Sequence, residues 1–453
     1  MRRLRLLHAI HDFLPRHKAG SEIYASELCR ELACRHDVFL VCAEYDSTAR
    51  HGTIRWRAFE GLPVIEIVNN WECDRFEDSY ASPRITSQLG HVLEATRPDI
   101  LHVHNLLNLS FDLPRLARAR GIATTATLHD YTLVCAAGGQ RVHVAESHIC
   151  ETIDPDRCSR CFAVTPFRAQ MAAAAMARAP GGGVLRRVAE TARRVLPVLT
   201  DAAARRIPMS PATSGDISVR LGRARDVFSE IDCFVAPSAA LGAEYLELGL
   251  DPQRLEISDY GFGLQSALER RPHVGPLRVG FVGSLVWHKG AHVLIEAARR
   301  LHGSYEIVVH GDPAVGPEYH ARLVREAAGL DVHFAGPFDR EDAPRVFGGL
   351  DVLVVPSLWL ENSPLVIHEA FMHGVAVVGS RLGGIPDLVN DGVNGLLFTA
   401  GSPRALAVAL QRLIDDPGLA GRLAARAPAV KSIEADAREW EARYERVLQA
   451  RPA

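Results

Sequence analysis

The sequence predicts an α/β protein of two doubly wound domains, each a parallel sheet covered on both faces by helices. Three observations predict it. Apolar runs alternate with amphipathic stretches through the first half of the chain, the pattern of successive βα units. The alternation stops near a connector at Leu255–Leu264 and starts again at Leu277. Between them, Arg270-Arg-Pro-His-Val-Gly-Pro276 has the composition of an interdomain linker. At 453 residues the chain has room for two or three domains of ordinary size.

The elements follow in order. Leu4–Ile10 is expected as a first strand. Its flanks resemble a signal peptide, but His8 and His11 break the apolar core and no small-residue cleavage site follows. Glu22–Cys34 has the period of an amphipathic helix. Asp37–Val41, Pro63–Val68, Ile100–Val103 and Gly121–Leu128 are expected strands. In the second half Leu277–Val282, Tyr305–His310, Val332–Ala335, Val352–Val355 and Val375–Val378 are expected strands, with a helix at Ala291–Leu301. The expected domains are 1–265, 276–430 and a terminal helix in 431–453. That helix carries one apolar stripe: Ile433, Ala437, Trp440, Tyr444, Val447 and Leu448. Two such domains joined by a short linker place a cleft between them, a common ligand site.

Composition excludes some functions. Hydrophobic residues are 47% and charged residues 23%, an ordinary globular balance. A net charge of −3 shows no basic excess, so no nucleic-acid partner is expected. No apolar run approaches the roughly 20 residues that span a bilayer, and the expected compartment is the cytoplasm. Nine cysteines in a chain of this length do not make a disulfide scaffold. Residues 166–225 differ: they are rich in Ala and Arg, with Gly181-Gly182-Gly183 inside and Arg186, Arg187, Arg193, Arg194, Arg205 and Arg206 spaced along helical segments. The favoured reading is a solvated helical insertion. The alternative is a basic helix in peripheral contact with the inner membrane face or with a lipid-linked acceptor, for which the intervening alanines are small anchors.

The densest signal is Glu361-Asn-Ser-Pro-Leu-Val-Ile-His-Glu369-Ala-Phe-Met-His-Gly374. A strand feeds into it, a strand leaves it, and Leu365–His373 has helical character. Glu361 therefore sits at a strand's carboxyl end, where open α/β sheets bind ligands, and Glu369 on the helix that follows. Two carboxylates suit a ligand rich in hydroxyls, and the helix amino end suits its phosphates. Solvated surface charge is the bland reading of a single Glu, but it does not explain the pair with its flanking elements.

This run resembles the retaining glycosyltransferases of family 4, which have the GT-B fold: two doubly wound Rossmann-like domains facing across a cleft. Glu361 and Glu369 match the family's Glu-x7-Glu motif, and Gly383-Gly384-Ile385-Pro386-Asp387-Leu388-Val389 with Asp391-Gly392-Val393-Asn394-Gly395 also matches the family pattern. The resemblance implies that Glu361 lies near the transferred sugar and that Glu369 accepts hydrogen bonds from the nucleotide ribose. It places backbone around Ser363, Pro364 and Leu365 at the pyrophosphate, where the Pro offers no N–H. In Gly280-Phe-Val-Gly283-Ser284-Leu-Val-Trp-His-Lys289-Gly290, Lys289 matches the family's phosphate-binding Lys. Ser284 stands where the family usually has Arg, and its hydroxyl is expected to bond phosphate beside Gly283. In Ala19-Gly20-Ser21-Glu22 only Gly20 matches the family's Gly-Gly loop at the donor phosphate or acceptor. His129 matches the position that meets the transferred sugar. For His104 and Asn105 structural and functional readings stand level. Gly261, in Tyr260-Gly261-Phe262-Gly263, is expected to pack beside the nucleotide. The family's last helix returns to the first domain.

Cys135, Cys150, Cys158 and Cys161 form a cluster with a Cys-x2-Cys knuckle. Four thiolates can hold a structural zinc; unrelated buried thiols or a redox pair are the alternatives. A subset of family 4 proteins carries a similar cluster after its His-Asp. The expected function is hexosyl transfer from a nucleotide-sugar donor to a hydroxyl acceptor with retention, in polysaccharide or glycoconjugate biosynthesis. Helix amino ends and Lys289 would stabilise the leaving pyrophosphate. No cofactor is expected for catalysis, since no Asp-x-Asp stands out in a strand-end loop. The other readings are a different GT-B enzyme, such as an epimerase, or a non-catalytic scaffold.

Overall fold

The computed structural model describes residues 2–143, 146–178, 212–263 and 275–450. The chain divides into two compact units. The first takes Met1–Pro237, Gly242–Ser258 and Glu434–Ala453, and the second takes Ser238–Leu241 and Asp259–Ile433. The first unit thus ends at Ser258 rather than at 265, because Phe262 pairs with Ser432 inside the second unit.

The first unit holds β1 (Arg5–Ile10), β2 (Asp37–Glu44), β3 (Ile54–Phe59), β4 (Leu62–Val68), β5 (Ile100–Val103), β6 (Ala123–Thr127), a separate hairpin of β7 (Val142–His143) and β8 (His148–Ile149), then β9 (Cys233–Ala236) and β10 (Leu255–Ile257). Eight of them form one sheet in the order β10-β9-β6-β5-β1-β2-β4-β3. All neighbours are parallel except β3 and β4. The expectation of a parallel sheet therefore fails at one edge. There the two-residue link Glu60-Gly61 has φ of 47° and 83°, the type I′ geometry that joins antiparallel strands. The central β5 is wholly buried, as a strand covered on both faces must be. β3 alternates apolar residues with Arg55 and Arg57, as an edge strand does. Leu255–Ile257, expected as connector, is the strand at the other edge.

The helix Pro166–Arg178 falls inside the expected insertion, but Ser214–Glu230 belongs to the body of the unit. A capping box starts it: Thr213 Oγ1 accepts from the Asp216 amide and Asp216 accepts from the Thr213 amide. It buries Ile217, Ala224, Val227 and Phe228. The insertion thus ends before 214. Gly181–Gly183 and the six arginines from Arg186 to Arg206 lie outside the described residues, as do Arg270–Val274 of the expected linker.

The helix Ile433–Gln449 returns to the first unit from Glu434 onward. Its Trp440 Nε1 donates to Tyr24 Oη at 3.0 Å, and Tyr24 donates to Asp436 at 2.7 Å.

The second unit has one parallel sheet of β11 (Leu277–Val282), β12 (Tyr305–His310), β13 (Val332–Phe334), β14 (Val352–Val355), β15 (Ala376–Ser380) and β16 (Gly395–Phe398), ordered β13-β12-β11-β14-β15-β16. Side chains alternate between two cores. Val352, Val354, Ala376 and Val378 pack on one face, and Leu353, Val355, Val375 and Val377 on the other. That is why these strands read as unbroken apolar runs.

Strand order reverses between β1 and β5 in the first unit and between β11 and β14 in the second. Those are the positions where doubly wound sheets open a crevice at their carboxyl ends. No helix among the described residues is long and apolar enough to cross a membrane.

Candidate functional site

In the second unit the reversal point lies between the loops that leave β11 and β14, and both carry predicted residues. The β11 loop runs through Gly283 and the exposed Ser284 to Lys289. The β14 loop delivers Glu361, which is 5% exposed. Lys289 Nζ donates to Glu361 Oε1 at 2.7 Å, and Ser357 Oγ donates to the same oxygen at 2.6 Å. Lys289 also sits over the Trp359 ring, 5.0 Å from its centre. Two residues expected in separate roles are therefore one ion pair. An ammonium has three N–H groups, so Lys289 keeps donors for a phosphate while holding Glu361 in place.

Glycines set the backbone around this pair. Gly290 has φ +78°, and a Cβ there would lie 2.0 Å from the Pro356 carbonyl oxygen. Its lack of a side chain lets the β11 and β14 loops touch. Gly383 and Gly384 back the Glu361 loop from the other side. A Cβ on Gly384 would meet the Asn362 oxygen at 1.7 Å, and the Gly384 amide donates to the Glu361 carbonyl at 2.7 Å.

Ser363 and Pro364 lead into the helix Leu365–Met372, whose N-cap Pro364 makes no side-chain cap bond. The first-turn amides of a helix lack intrahelical acceptors and carry the positive end of its dipole. The Ser363 hydroxyl is already used. It donates to Asp259 at 2.7 Å and accepts from His368 Nε2 at 2.9 Å. Backbone, not this side chain, is what position 363 can offer an anion. Glu369 lies half-buried one turn into the helix. Gly261 sits between Tyr260 and Phe262, and Phe262 packs on His368 with ring centres 4.6 Å apart.

In the first unit the reversal point gathers histidines. Register sets His8 on β1 beside His102 on β5. The rings of His102 and His104 stack at 4.4 Å, and those of His104 and His129 at 5.3 Å. His8 Nδ1 contacts His104 Nε2 at 3.0 Å, and His104 Nδ1 contacts His129 Nε2 at 3.0 Å. Burial lowers the pKa of His8 and of His129 to about 3, and holds His102 and His104 well below the ordinary value. All four rings are neutral at pH 7. His8 Nε2 is buried without a hydrogen-bond partner. A proton there would be an orphaned donor, which costs more than a bare acceptor. The network thus assigns the His8 proton to Nδ1, the His104 proton to Nδ1, and the His129 proton to Nδ1. His129 is a hydrogen-bond donor at Nδ1.

Asp130 is fixed beside it, accepting from the Thr132 amide at 2.7 Å and from Asn105 Nδ2 at 2.9 Å. Asn105 thus bonds Asp130, and His104 bonds His129. Gly20 opens the helix Gly20–Ala33 behind the N-cap Ala19, which makes no side-chain cap bond.

None of the nine cysteines forms a disulfide. Cys135, Cys150, Cys158 and Cys161 line one cavity of about 20 Å³, together with Val142, His143 and Arg157. Burial, followed by the neighbouring thiols, pushes Cys158 up to about 12.

Sequence reasoning missed Ser357, Asp259, His368 and His8. His8 left a signal, a polar ring inside an apolar strand, repeated at His102 and His104. Ser357 and Asp259 left none, because their partners are set by loop geometry.

The comparisons agree with this architecture. A model described as Glycosyltransferase Family 4 matches residues 19–178, and one described as Glycosyl transferases group 1 matches residues 276–416. The lipopolysaccharide core biosynthesis glycosyltransferase LpsE of Rhizobium meliloti is 32% identical over 219 residues, 47% of this chain and 61% of that protein. The D-inositol 3-phosphate glycosyltransferase of Corynebacterium kroppenstedtii is 33% identical over 177 residues, 36% of this chain and 39% of that protein. The chain thus spans 39% and 61% of the length of these two relatives. Among solved structures, sucrose-phosphate synthase from Thermosynechococcus elongatus aligns with a TM-score of 0.67 at 18% identity, covering 99% of this chain and 100% of that one. Anabaena HepE in complex with UDP and glucose aligns with a TM-score of 0.62 at 16% identity, covering 98% and 99%. At those identities the structures show the fold alone, while the family models and relatives carry the assignment: the chain belongs to the GT-B glycosyltransferases of family 4 type.

Proposed function

We propose that the protein transfers a hexosyl group from a nucleotide-sugar donor to a hydroxyl acceptor, with retention, in polysaccharide or glycoconjugate biosynthesis. The observation that carries this reading is the Lys289–Glu361 pair beside the helix Leu365–Met372 at the reversal point of the second sheet. Breaking the bond from the sugar to the pyrophosphate leaves negative charge on the diphosphate. The first-turn amides of that helix and the remaining Lys289 N–H groups face such a charge with fixed donors. Glu369, half-buried on the same helix, is suited to accept bonds from ribose hydroxyls. Glu361 is given the place nearest the transferred sugar, and His129 the family position that meets that sugar. The donor phosphate takes the acceptor proton, so no protein nucleophile and no metal enter the reaction. HepE has been crystallised with UDP-glucose, and LpsE is named for lipopolysaccharide core biosynthesis, both consistent with this donor and acceptor class.

The test is a thermal-shift screen of nucleotide sugars, then product analysis with hydroxyl acceptors. Stabilisation by one nucleotide sugar and an anomeric configuration retained in the product are expected. Epimerised donor formed without acceptor would replace the transferase reading. Absence of stabilisation by any nucleotide sugar would leave the scaffold reading.

A further inference from the structure

The four clustered thiols reach their cavity from three separate pieces of chain. Cys135 closes the turn at Tyr131, its amide donating to the Tyr131 carbonyl at 2.8 Å. Cys150 follows β8, its amide donating to the Arg141 carbonyl at 2.8 Å. Cys158 and Cys161 lie on the helix Pro155–Ala163, which starts at Asp154, whose carboxylate accepts from the Asp156 and Arg157 amides. Residues three apart on a helix share a face, so the knuckle presents both sulfurs to one point.

Two arginines and a histidine stand around the thiols. Arg157 lines the cavity. Arg220, on the helix Ser214–Glu230, donates to the Thr132 and Leu133 carbonyls at 2.6 and 2.9 Å, in the turn that delivers Cys135. His143 also lines the cavity and is 2% exposed. Its Nδ1 accepts from the Glu146 amide at 3.2 Å, so the neutral ring carries its proton on Nε2. That Nε2 is buried with no hydrogen-bond partner; the nearest acid oxygen, on Glu146, is 3.5 Å away. A buried N–H beside four thiols is a donor awaiting a sulfur acceptor.

We propose that this cavity is a structural zinc site with Cys135, Cys150, Cys158 and Cys161 as its four ligands, and with His143 donating Nε2–H to a ligand sulfur rather than binding the metal. On binding, Zn²⁺ displaces four thiol protons to solvent, and the tetrathiolate centre carries a net charge of −2. Arg157 and Arg220 offset that charge. Zinc–sulfur bonds of about 2.3 Å bring tetrahedral sulfurs to roughly 3.8 Å of one another. Metal binding therefore ties the turn, the hairpin and the helix to one point. The segment it tightens begins six residues after His129 and lies in the first unit. A redox pair at Cys158 and Cys161 would use two sulfurs and leave Cys135, Cys150 and His143 without a purpose.

The experiment uses the full chain, purified under reducing, anaerobic conditions and supplied with Zn²⁺ alone. Elemental analysis is expected to find about one zinc per chain. Replacement with Co²⁺ is expected to give a sulfur-to-metal charge-transfer band of four-thiolate intensity. Thiol titration of the intact protein should show four fewer reactive groups with metal than after chelation, a reading that needs no variant to fold. Cys158→Ser should abolish stoichiometric zinc. His143→Gln should keep one zinc per chain, with affinity lowered ten- to a hundredfold. Less than a tenth of a zinc per chain, or a cobalt complex without the band, would overturn the site. Loss of metal in His143→Gln as complete as in Cys158→Ser would overturn the assignment of His143 as a donor to sulfur.

Discussion

Replacing Lys289 with Met keeps the side-chain length and removes the charge that Glu361 faces. Glu361 is 5% exposed, and its side chain has two donors on one oxygen, Lys289 at 2.7 Å and Ser357 at 2.6 Å. Breaking a fully buried pair costs ~3–5 kcal/mol, because one charge is left without compensation. The Lys289 side chain is 28% exposed, and the Ser357 bond survives the change. The expected loss is therefore at the lower end, ~2–3 kcal/mol after allowing for solvent screening. For a unit of this size that lowers the melting temperature by about 4–12 °C. Glu361→Gln keeps a neutral acceptor for both donors and should cost less, ~1 kcal/mol. Thermal unfolding of the wild type, both single variants and the double variant closes a cycle. A coupling of ~1.5 kcal/mol or more is expected for two groups in direct contact. Additive losses, with coupling below ~0.5 kcal/mol, would show that the two side chains do not form this pair, and the argument from it would fall.

Glu369→Ala should weaken nucleotide-sugar binding ten- to a hundredfold, since hydrogen bonds to a charged group contribute ~1.5–3 kcal/mol each; calorimetry with the natural donor that found unchanged affinity would remove the ribose role. Gly384→Ala places a Cβ 1.7 Å from the Asn362 carbonyl oxygen, so it should cost at least ~1–3 kcal/mol and lower kcat by moving Glu361; an unshifted melting curve would contradict that packing. The buried histidines make stability depend on pH. His8 and His129 titrate near 3 in the folded protein and near 6.5 when unfolded, so between those values the unfolded chain binds the extra protons. Their contribution is complete above pH 6.5 and is lost as pH falls toward 3, by about 1.4 kcal/mol per pH unit for each ring. Urea titrations at a series of pH values check this. In His8→Phe the slope should fall by one ring's share, and an unchanged slope would place the proton uptake elsewhere.

The sheets were largely legible because their strands are apolar on both faces. Ile100–Val103, Leu277–Val282, Tyr305–His310 and Val352–Val355 have the same bounds in the sequence reading and in the structure. β3 was missed because Arg55 and Arg57 interrupt its apolar residues, and the turn after it is Glu-Gly rather than a stronger signal. β9 and β10 were not read as strands, β10 because its residues were taken as part of the connector. Residue types at the site were legible, but their partners were not. Lys289 and Glu361 are 72 positions apart and meet only because β11 and β14 are neighbours. The histidine column depends in the same way on β1 lying beside β5.

The returning terminal helix also governs the order in which the protein can form. Asp436 and Trp440 bond Tyr24, and Tyr444 meets His102 at 2.6 Å, so later-made residues complete an interior begun by earlier-made ones. A ribosome adding about 5–20 residues per second takes roughly ten to forty seconds to travel from Ser258 to this helix. Most of the second unit is made during that interval, before Trp440 and Tyr444 exist to meet Tyr24 and His102. A stall before Glu434 would therefore leave a first unit lacking the residues that bond Tyr24 and His102.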